Sequence, residues 1–373
     1  MADLIFTGGG TGGHLYPALA VAEALKALAP RADILFVGTP DRLEARVVPE
    51  HGYRFEAIPA SGLSRRPIAA AKALWQLAGA VWRARRLLKR ERPRAVLGTG
   101  GYVSAPVLLA ARLEGIPVVL QEQNVVPGKV NRWIAGFAHT VATSFPGSER
   151  YFPGQTLLLV GNPIREAALA IDPAEARRQL GLPVTGRLLL VTGGSQGAQS
   201  INSAVVGALP ALLEQTDWQV LHVTGPEKLE QVQSQAGALA EHPRYHLLGY
   251  TEAMPQAIVA SDMVISRAGA TTLAELTAAG KPMLLVPYPY AGGHQRLNAE
   301  AIVEAGGGLE IADAALDPAT LEAALLPLMA DPARLAEMAA ASRSLGRPAA
   351  ARELAALLAG LALQAPDPVM TGK

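Results

Sequence analysis

The chain of 373 residues contains no cysteine. Disulfide bonds and thiolate metal sites are therefore excluded, and a reducing compartment suits it. It also lacks the run of roughly 18 apolar residues that a spanning helix needs. The nearest candidate, 95–111, is interrupted by Gly98, Gly100, Gly101 and Pro106. The first residues, Met1-Ala2-Asp3-Leu4-Ile5-Phe6, carry no basic segment and no cleavage site, so no signal peptide is expected. There is no Asp-x-Asp pair to hold a metal on a diphosphate. The seven histidines, at 14, 51, 139, 222, 242, 246 and 294, show no zincin-type spacing. These absences point to a soluble or peripheral protein that needs no metal or other cofactor.

Half of the residues are apolar and 17% are charged, enough for two or more domains with large cores. Net charge is only +1, but the segment 64–94 holds ten Lys/Arg and a single acid, Glu91. Such local asymmetry points to an anionic partner surface.

Short, continuously apolar runs alternate with Ala/Leu-rich helical stretches. Strands are expected at Leu4–Thr7, Ile34–Gly38, Ala95–Gly98, Pro117–Gln121, Leu157–Val160, Leu188–Thr192, Gln219–Thr224, Tyr245–Leu248, Met263–Ser266 and Met283–Val286. Runs of this kind fit strands buried on both faces of parallel sheets covered by helices. The pattern restarts halfway: Leu4-Ile5-Phe6-Thr7-Gly8-Gly9-Gly10 is echoed by Leu188-Leu189-Leu190-Val191-Thr192-Gly193-Gly194. The natural join is the turn tripeptide Gly161-Asn162-Pro163. The expected class is α/β, with two Rossmann-like domains whose parallel sheets face each other across a cleft.

Gly8-x-Gly10-x-x-Gly13 formally satisfies the dinucleotide fingerprint. A nicotinamide site also wants an acid at the end of the second strand. Here Asp33 precedes that strand and Asp41 lies beyond it, which argues against a dehydrogenase. The loop is then either a tight turn or an approach for a ligand to a helix N-terminus. His14 closes this loop. It is either structural or, as a neutral imidazole at a helix N-terminus, a general base on a hydroxyl. In the second half, Ser266-Arg267-Ala268-Gly269-Ala270-Thr271-Thr272-Leu273-Ala274-Glu275 follows a strand and opens a helix with small and hydroxyl residues. Thr271 and Thr272 suit a diphosphate. Glu275, one turn further on the same face, suits the 2′- and 3′-hydroxyls of a ribose. A capped helix with a solvated glutamate fits the same residues. Gln295 and Asn298 share a helix face and suit sugar hydroxyls.

Six motifs occur in order: Gly9-Gly10-Thr11-Gly12-Gly13-His14, Gly100-Gly101-Tyr102-Val103-Ser104, Gln121-Glu122-Gln123-Asn124, Gly161-Asn162-Pro163-Ile164-Arg165, Gly193-Gly194-Ser195-Gln196-Gly197-Ala198 and Arg267–Glu275. Together, over about residues 4–362, the chain resembles glycosyltransferase family 28 in its lipid II-forming branch. The resemblance implies a GT-B fold and inverting transfer of N-acetylglucosamine (GlcNAc) from UDP-GlcNAc to the C4 hydroxyl of N-acetylmuramic acid (MurNAc) in undecaprenyl-pyrophosphoryl-MurNAc-pentapeptide, lipid I. That is peptidoglycan synthesis, with its links to cell shape and division.

Carried over by motif, Thr11, Gly12 and Gly13 approach the donor sugar and diphosphate, and Asn124 contacts the GlcNAc. Arg165 and Ser195 lie on the nucleotide and diphosphate side. Ala270, Thr271, Thr272, Leu273 and Ala274 form the phosphate-holding helix start, Glu275 holds the ribose and Gln295 the sugar. Thr251 offers its backbone to uracil. His14 is the candidate base, with Glu122 next in line. Two departures stand out. Many members read His-Glu-Gln-Asn where this chain has Gln121, and the Tyr290–His294 stretch before Gln295 differs. The implied domains are 1–163, on the acceptor and membrane side and completed by a helix at about 346–363, and 164–345, on the donor side. A tail at 364–373 follows.

Without an Asp-x-Asp pair, leaving-group stabilisation is assigned to helix N-termini helped by Arg165. Leu74, Trp75, Val81, Trp82, Arg85 and Arg86 form an aromatic and basic helix face suited to anionic lipid, although an ordinary solvated basic face fits too. The expected location is the cytoplasmic face of the inner membrane, as a peripheral protein. No nucleic-acid motif is present; other cell-wall synthesis proteins are implied as partners. The alternatives are another GT-B lipid glycosyltransferase, a UDP-GlcNAc 2-epimerase, or a non-catalytic nucleotide-sugar-binding protein. His14 and Glu122 argue against the last, since binding alone needs no base.

Overall fold

The computed structural model describes residues 1–60, 67–290 and 293–364, with side chains in the third helix from Trp75 onward. Arg65, Arg66, the Leu74 side chain, Ala291, Gly292 and the tail after residue 364 lie outside the described residues. The chain divides into two compact units, Met1–Ile164 with the C-terminal stretch from Ala349, and Arg165–Pro348.

The first unit runs β1 (Leu4–Gly8), α1 (Gly12–Leu28), β2 (Ile34–Gly38), α2 (Leu43–Glu50), β3 (Arg54–Ala57), α3 (Pro67–Glu91), β4 (Ala95–Gly100), α4 (Ala105–Leu113), β5 (Val118–Glu122), α5 (Lys129–Ala135), β6 (Thr140–Thr143) and β7 (Leu157–Leu159). Its strands form one parallel sheet in the order β3-β2-β1-β4-β5-β6-β7. Side chains alternate across a strand, so each apolar run feeds two cores. Ile5, Leu35, Val37 and Val96 pack on one face with residues of α3 and α4. Leu4, Phe6, Ile34 and Phe36 pack on the other with α1.

The second unit runs α6 (Glu166–Leu169), α7 (Pro173–Gln179), β8 (Leu188–Thr192), α8 (Gln199–Gln215), β9 (Gln219–Val223), α9 (Leu229–Ala236), β10 (Tyr245–Leu248), α10 (Met254–Ala260), β11 (Met263–Ser266), α11 (Ala270–Ala278), β12 (Met283–Leu285), α12 (His294–Glu304), β13 (Gly308–Glu310), α13 (Pro318–Met329) and α14 (Pro332–Leu345). Its parallel sheet has the order β10-β9-β8-β11-β12-β13. The last helix, α15 (Ala350–Gln364), returns to the first unit. There Leu354, Ala355 and Leu358 are buried in the same core as α1.

In each sheet the strand order reverses at one place, between β1 and β4 and between β8 and β11. Open α/β sheets bind ligands beyond the carboxyl ends of the strands at such reversals. The loops after these four strands are Gly9–Thr11, Gly101–Ser104, Gly193–Ala198 and Arg267–Gly269, and each carries one of the sequence motifs.

Candidate active site

In the first unit, α1 starts directly after the glycine loop, with Thr11 as the extended residue before it. His14 therefore sits in the first turn. Its Nδ1 lies 3.0 Å from Thr11 Oγ1. The Thr99 hydroxyl of β4 donates to the His14 carbonyl at 2.7 Å and fixes the helix start against the sheet. Burial holds the imidazole below the usual histidine range, while the Gly9 carbonyl and the charge of Glu44 pull the other way. The ring is thus neutral at neutral pH. The helix N-terminus gave this expectation, but desolvation is the main cause.

Glu44 carries no local signal in the sequence. It lies in the first turn of α2, only 1% exposed. One oxygen accepts the Thr39 N–H at 3.1 Å and the Thr39 hydroxyl at 2.7 Å, and the other accepts the Gly10 N–H at 3.0 Å. A Cβ at Gly9 would meet this carboxylate at 2.5–2.7 Å, so only glycine leaves room for it.

Glu122 is enclosed by donors. It is 1% exposed, and its oxygens accept Asn124 N–H (2.9 Å), Asn124 Nδ2 (3.2 Å), Gly128 N–H (3.2 Å) and Asn131 Nδ2 (2.8 Å). Burial raises its pKa in spite of these donors. A carboxylate so enclosed holds the 124–131 segment in place and has little capacity to reach a substrate. Asn124 is half-buried, and both its backbone and its side chain are oriented by Glu122. Gln121, at the family's histidine position, is buried against Ser144, Asn162 and Gln123.

In the second unit a cavity of about 510 Å³ is lined by the Gly193–Ala198 loop together with Arg267, Thr272, Tyr288, Gln295 and Asp313. Ser195 is exposed within that loop. Gly197 has φ +67°, and a Cβ there would lie 1.7 Å from the Thr224 carbonyl, so the loop turns through a space only glycine fits. Arg267 is held from several sides. It donates to the Val286 carbonyl (3.0 Å), to Ser200 Oγ (3.0 Å) and to Asp313 Oδ1 (2.5 Å), and Ser200 also donates to Asp313 at 2.6 Å. These contacts make Arg267 a wall of the cavity.

At the start of α11 the first intrahelical bond shown is Leu273 N–H to the Gly269 carbonyl, 2.9 Å. The amides of Ala270, Thr271 and Thr272 precede it and point out of the helix end. Leu273 is fully buried and its amide is used within the helix, and Ala274 lies beyond the first turn. Glu275 is half-buried, and burial raises its carboxyl to about 7, against the nearby charge of the exposed Arg165. Thr251 Oγ1 accepts the Ala253 N–H at 3.0 Å, which shapes the turn after the exposed Tyr250. Gln295 Oε1 accepts the Tyr288 N–H at 2.9 Å, leaving its amide nitrogen oriented as a donor. Asn298, expected beside it on a sugar-facing surface, is instead fully buried and bonds the Ala268 carbonyl.

On α3, Trp75 is 83% and Trp82 57% exposed, with the Arg86 guanidinium 4.8 Å from the Trp82 ring centre. Val81 packs against the core and Arg85 pairs with Glu114 at 2.6 Å, so these two face the domain. Among the described residues no helix is long and apolar enough to cross a membrane.

The N-terminal domain of glycosyltransferase family 28 matches residues 4–143, and the C-terminal domain of the same family matches 188–354. The UDP-N-acetylglucosamine--N-acetylmuramyl-(pentapeptide) pyrophosphoryl-undecaprenol N-acetylglucosamine transferase of Salinibacter ruber is 42% identical over 316 residues, 84% of this chain and 85% of the relative. The crystal structure of Acinetobacter baumannii MurG aligns with a TM-score of 0.79 at 28% identity, covering 96% of this chain and 100% of that one. A UDP-N-acetylglucosamine 2-epimerase structure aligns with a TM-score of 0.65 at 17% identity over 95% of each chain, a likeness of fold alone. The two parallel-sheet units are those of the GT-B fold, and the chain belongs to glycosyltransferase family 28.

Proposed function

We propose that this chain transfers GlcNAc from UDP-GlcNAc to the C4 hydroxyl of MurNAc in undecaprenyl-pyrophosphoryl-MurNAc-pentapeptide, with inversion, forming lipid II. The observation that carries the reading is the cavity of the second unit, with a glycine loop on one wall and the start of α11 on another. Helix N-termini bind anions through their first-turn amides and the helix dipole. The amides and hydroxyls at Ala270–Thr272, with Ser195, hold the diphosphate. Glu275 accepts the ribose hydroxyls, Thr251 offers its backbone to uracil, and Gln295 donates to the sugar. Arg165 adds positive charge on the nucleotide side.

The acceptor oxygen bonds to the anomeric carbon as the bond from that carbon to the diphosphate oxygen breaks. The acceptor's proton passes to His14, and UDP leaves as the anion that the amides and Arg165 stabilise. A positioned base contributes typically ~10²–10⁴-fold. Thr11, Gly12 and Gly13 shape the reacting side, and Asn124, oriented by Glu122, contacts the GlcNAc. Glu122 is a positioning residue in this scheme.

We infer a peripheral location on an anionic membrane surface from the outward Trp75, Trp82 and Arg86. In this reading the face is the cytoplasmic side of the inner membrane, with the first unit on the acceptor and membrane side and the second holding the donor. Incubation of UDP-GlcNAc with a short-chain lipid I analogue tests the activity. Disaccharide product with one UDP per transfer is expected. Free GlcNAc, an epimerised sugar, or binding without turnover would overturn it.

A further inference from the structure

The peptide between Gly9 and Gly10 joins two groups that the sequence keeps apart. Its N–H is the Gly10 amide, 3.0 Å from Glu44 Oε2. Its carbonyl is that of Gly9, which hydrogen-bonds the His14 ring. A Cβ at Gly101 would meet both Gly9 O (2.6 Å) and His14 Nδ1 (3.6 Å), so the carbonyl and Nδ1 border the same space. N–H and C=O of a trans peptide point in opposite directions, so one planar unit bridges the carboxylate and the imidazole. A carbonyl cannot donate, so the ring nitrogen that faces it carries the hydrogen; with that nitrogen Nδ1, the Thr11 hydroxyl 3.0 Å away is a second acceptor and the lone pair of Nε2 is left for a substrate proton. Glu44 itself is fixed, by two bonds from Thr39 and by the first turn of α2, where a helix favours a carboxylate.

We propose that Glu44 is a positioning residue for the transfer reaction, acting on His14 through the Gly9–Gly10 peptide. The carboxylate polarises the peptide, the peptide carbonyl fixes the imidazole tautomer, and the chain of hydrogen bonds stabilises the imidazolium formed when Nε2 takes the acceptor's proton. This rests on the reading of His14 as the base. It extends that reading by naming what keeps a buried imidazole basic. Burial pushes His14 down, and Glu44 and the Gly9 carbonyl are the groups that push it up. The other titratable groups near the ring are Tyr102, in the loop after β4, and Glu122, which stands behind Asn131. A change at Glu44 alters neither.

The test is imidazole NMR of the full chain labelled with ¹⁵N-histidine, the His14 signal being assigned by its loss in His14→Ala. In wild type the neutral His14 ring is expected to be protonated at Nδ1; a ring protonated at Nε2 overturns the proposal whatever any variant does. Glu44→Gln is expected to move the His14 titration midpoint to lower pH. It should also lower kcat by about tenfold, part of the ~10²–10⁴ a base supplies, with the KM for UDP-GlcNAc within about twofold of wild type. Thr39→Val loosens the same carboxylate without removing its charge and should leave the midpoint in place. An unchanged midpoint in Glu44→Gln, or an equal shift in Thr39→Val, overturns the proposal. If His14→Ala keeps its turnover, the base reading falls together with the kinetic half of the proposal, while the midpoint still decides the link between Glu44 and the ring.

Discussion

With Glu275 on the ribose, as proposed, nucleotide binding should depend on pH. Burial raises its carboxyl to about 7, so about half of the free chains carry it protonated at neutral pH. A ribose that donates two hydroxyls selects the ionised form. Ionisation grows as pH rises, so UDP affinity should rise through pH 7 and level off above about pH 8. At pH 6 only about a tenth of the chains are ionised, which weakens binding about tenfold, or ~1.4 kcal/mol, relative to the plateau. Calorimetry of UDP binding between pH 6 and 8, in buffers of differing ionisation enthalpy, reads both the affinity and the proton released, about half a proton per UDP near pH 7. Glu275→Gln should flatten the Glu275 part of this profile and weaken binding at pH 8 by ~1.5–3 kcal/mol, the worth of hydrogen bonds to a charged group. Arg165→Ala removes the charge that opposes the rise and should move the midpoint upward. An affinity that is flat from pH 6 to 8, or a slope in Glu275→Gln as steep as in wild type, refutes the reasoning.

Other perturbations separate positioning from chemistry. Glu122→Ala removes the acceptor of four hydrogen bonds, a cost on the order of 3 kcal/mol, and should lower the melting temperature by about 5–10 °C in scanning calorimetry. Lost turnover with unchanged melting would instead return Glu122 to the role of base. Gly197→Ala forces a left-handed residue onto the Thr224 carbonyl and should abolish measurable UDP binding; near-normal affinity would remove the second glycine loop from the donor site. In flotation assays, Trp75→Ala with Trp82→Ala should reduce binding to anionic vesicles, and wild type should bind neutral vesicles weakly. Equal wild-type binding to both would sink the electrostatic part of the membrane reading.

Much of the fold was legible because parallel strands buried on both faces read as unbroken apolar runs. Ile34–Gly38, Leu188–Thr192 and Met263–Ser266 fall where those runs predict, and Tyr245–Leu248 does so as an edge strand that keeps three large apolar residues. Three strands were missed. β3, Arg54-Phe55-Glu56-Ala57, and β13 are sheet edges that bury less and so keep polar residues, and the threonines of β6 broke its apolar signal. At the site, glycine spacing and the Thr271–Glu275 interval are local and therefore visible. Glu44 was not: it meets Gly10 from 34 residues away, through a contact only the folded sheet creates. The burial of Asn298 escapes the sequence for a related reason, since helix periodicity names a face but not what covers it.

The central claim is a division of labour, with the base on the first unit and the donor nucleotide held by the second. Measuring kcat and UDP affinity together in His14→Ala tests it most directly. Turnover should fall by about 10²–10⁴-fold while the UDP dissociation constant stays within about twofold of wild type. Wild-type turnover in that variant, or a loss of UDP binding equal to the loss of turnover, would contradict it.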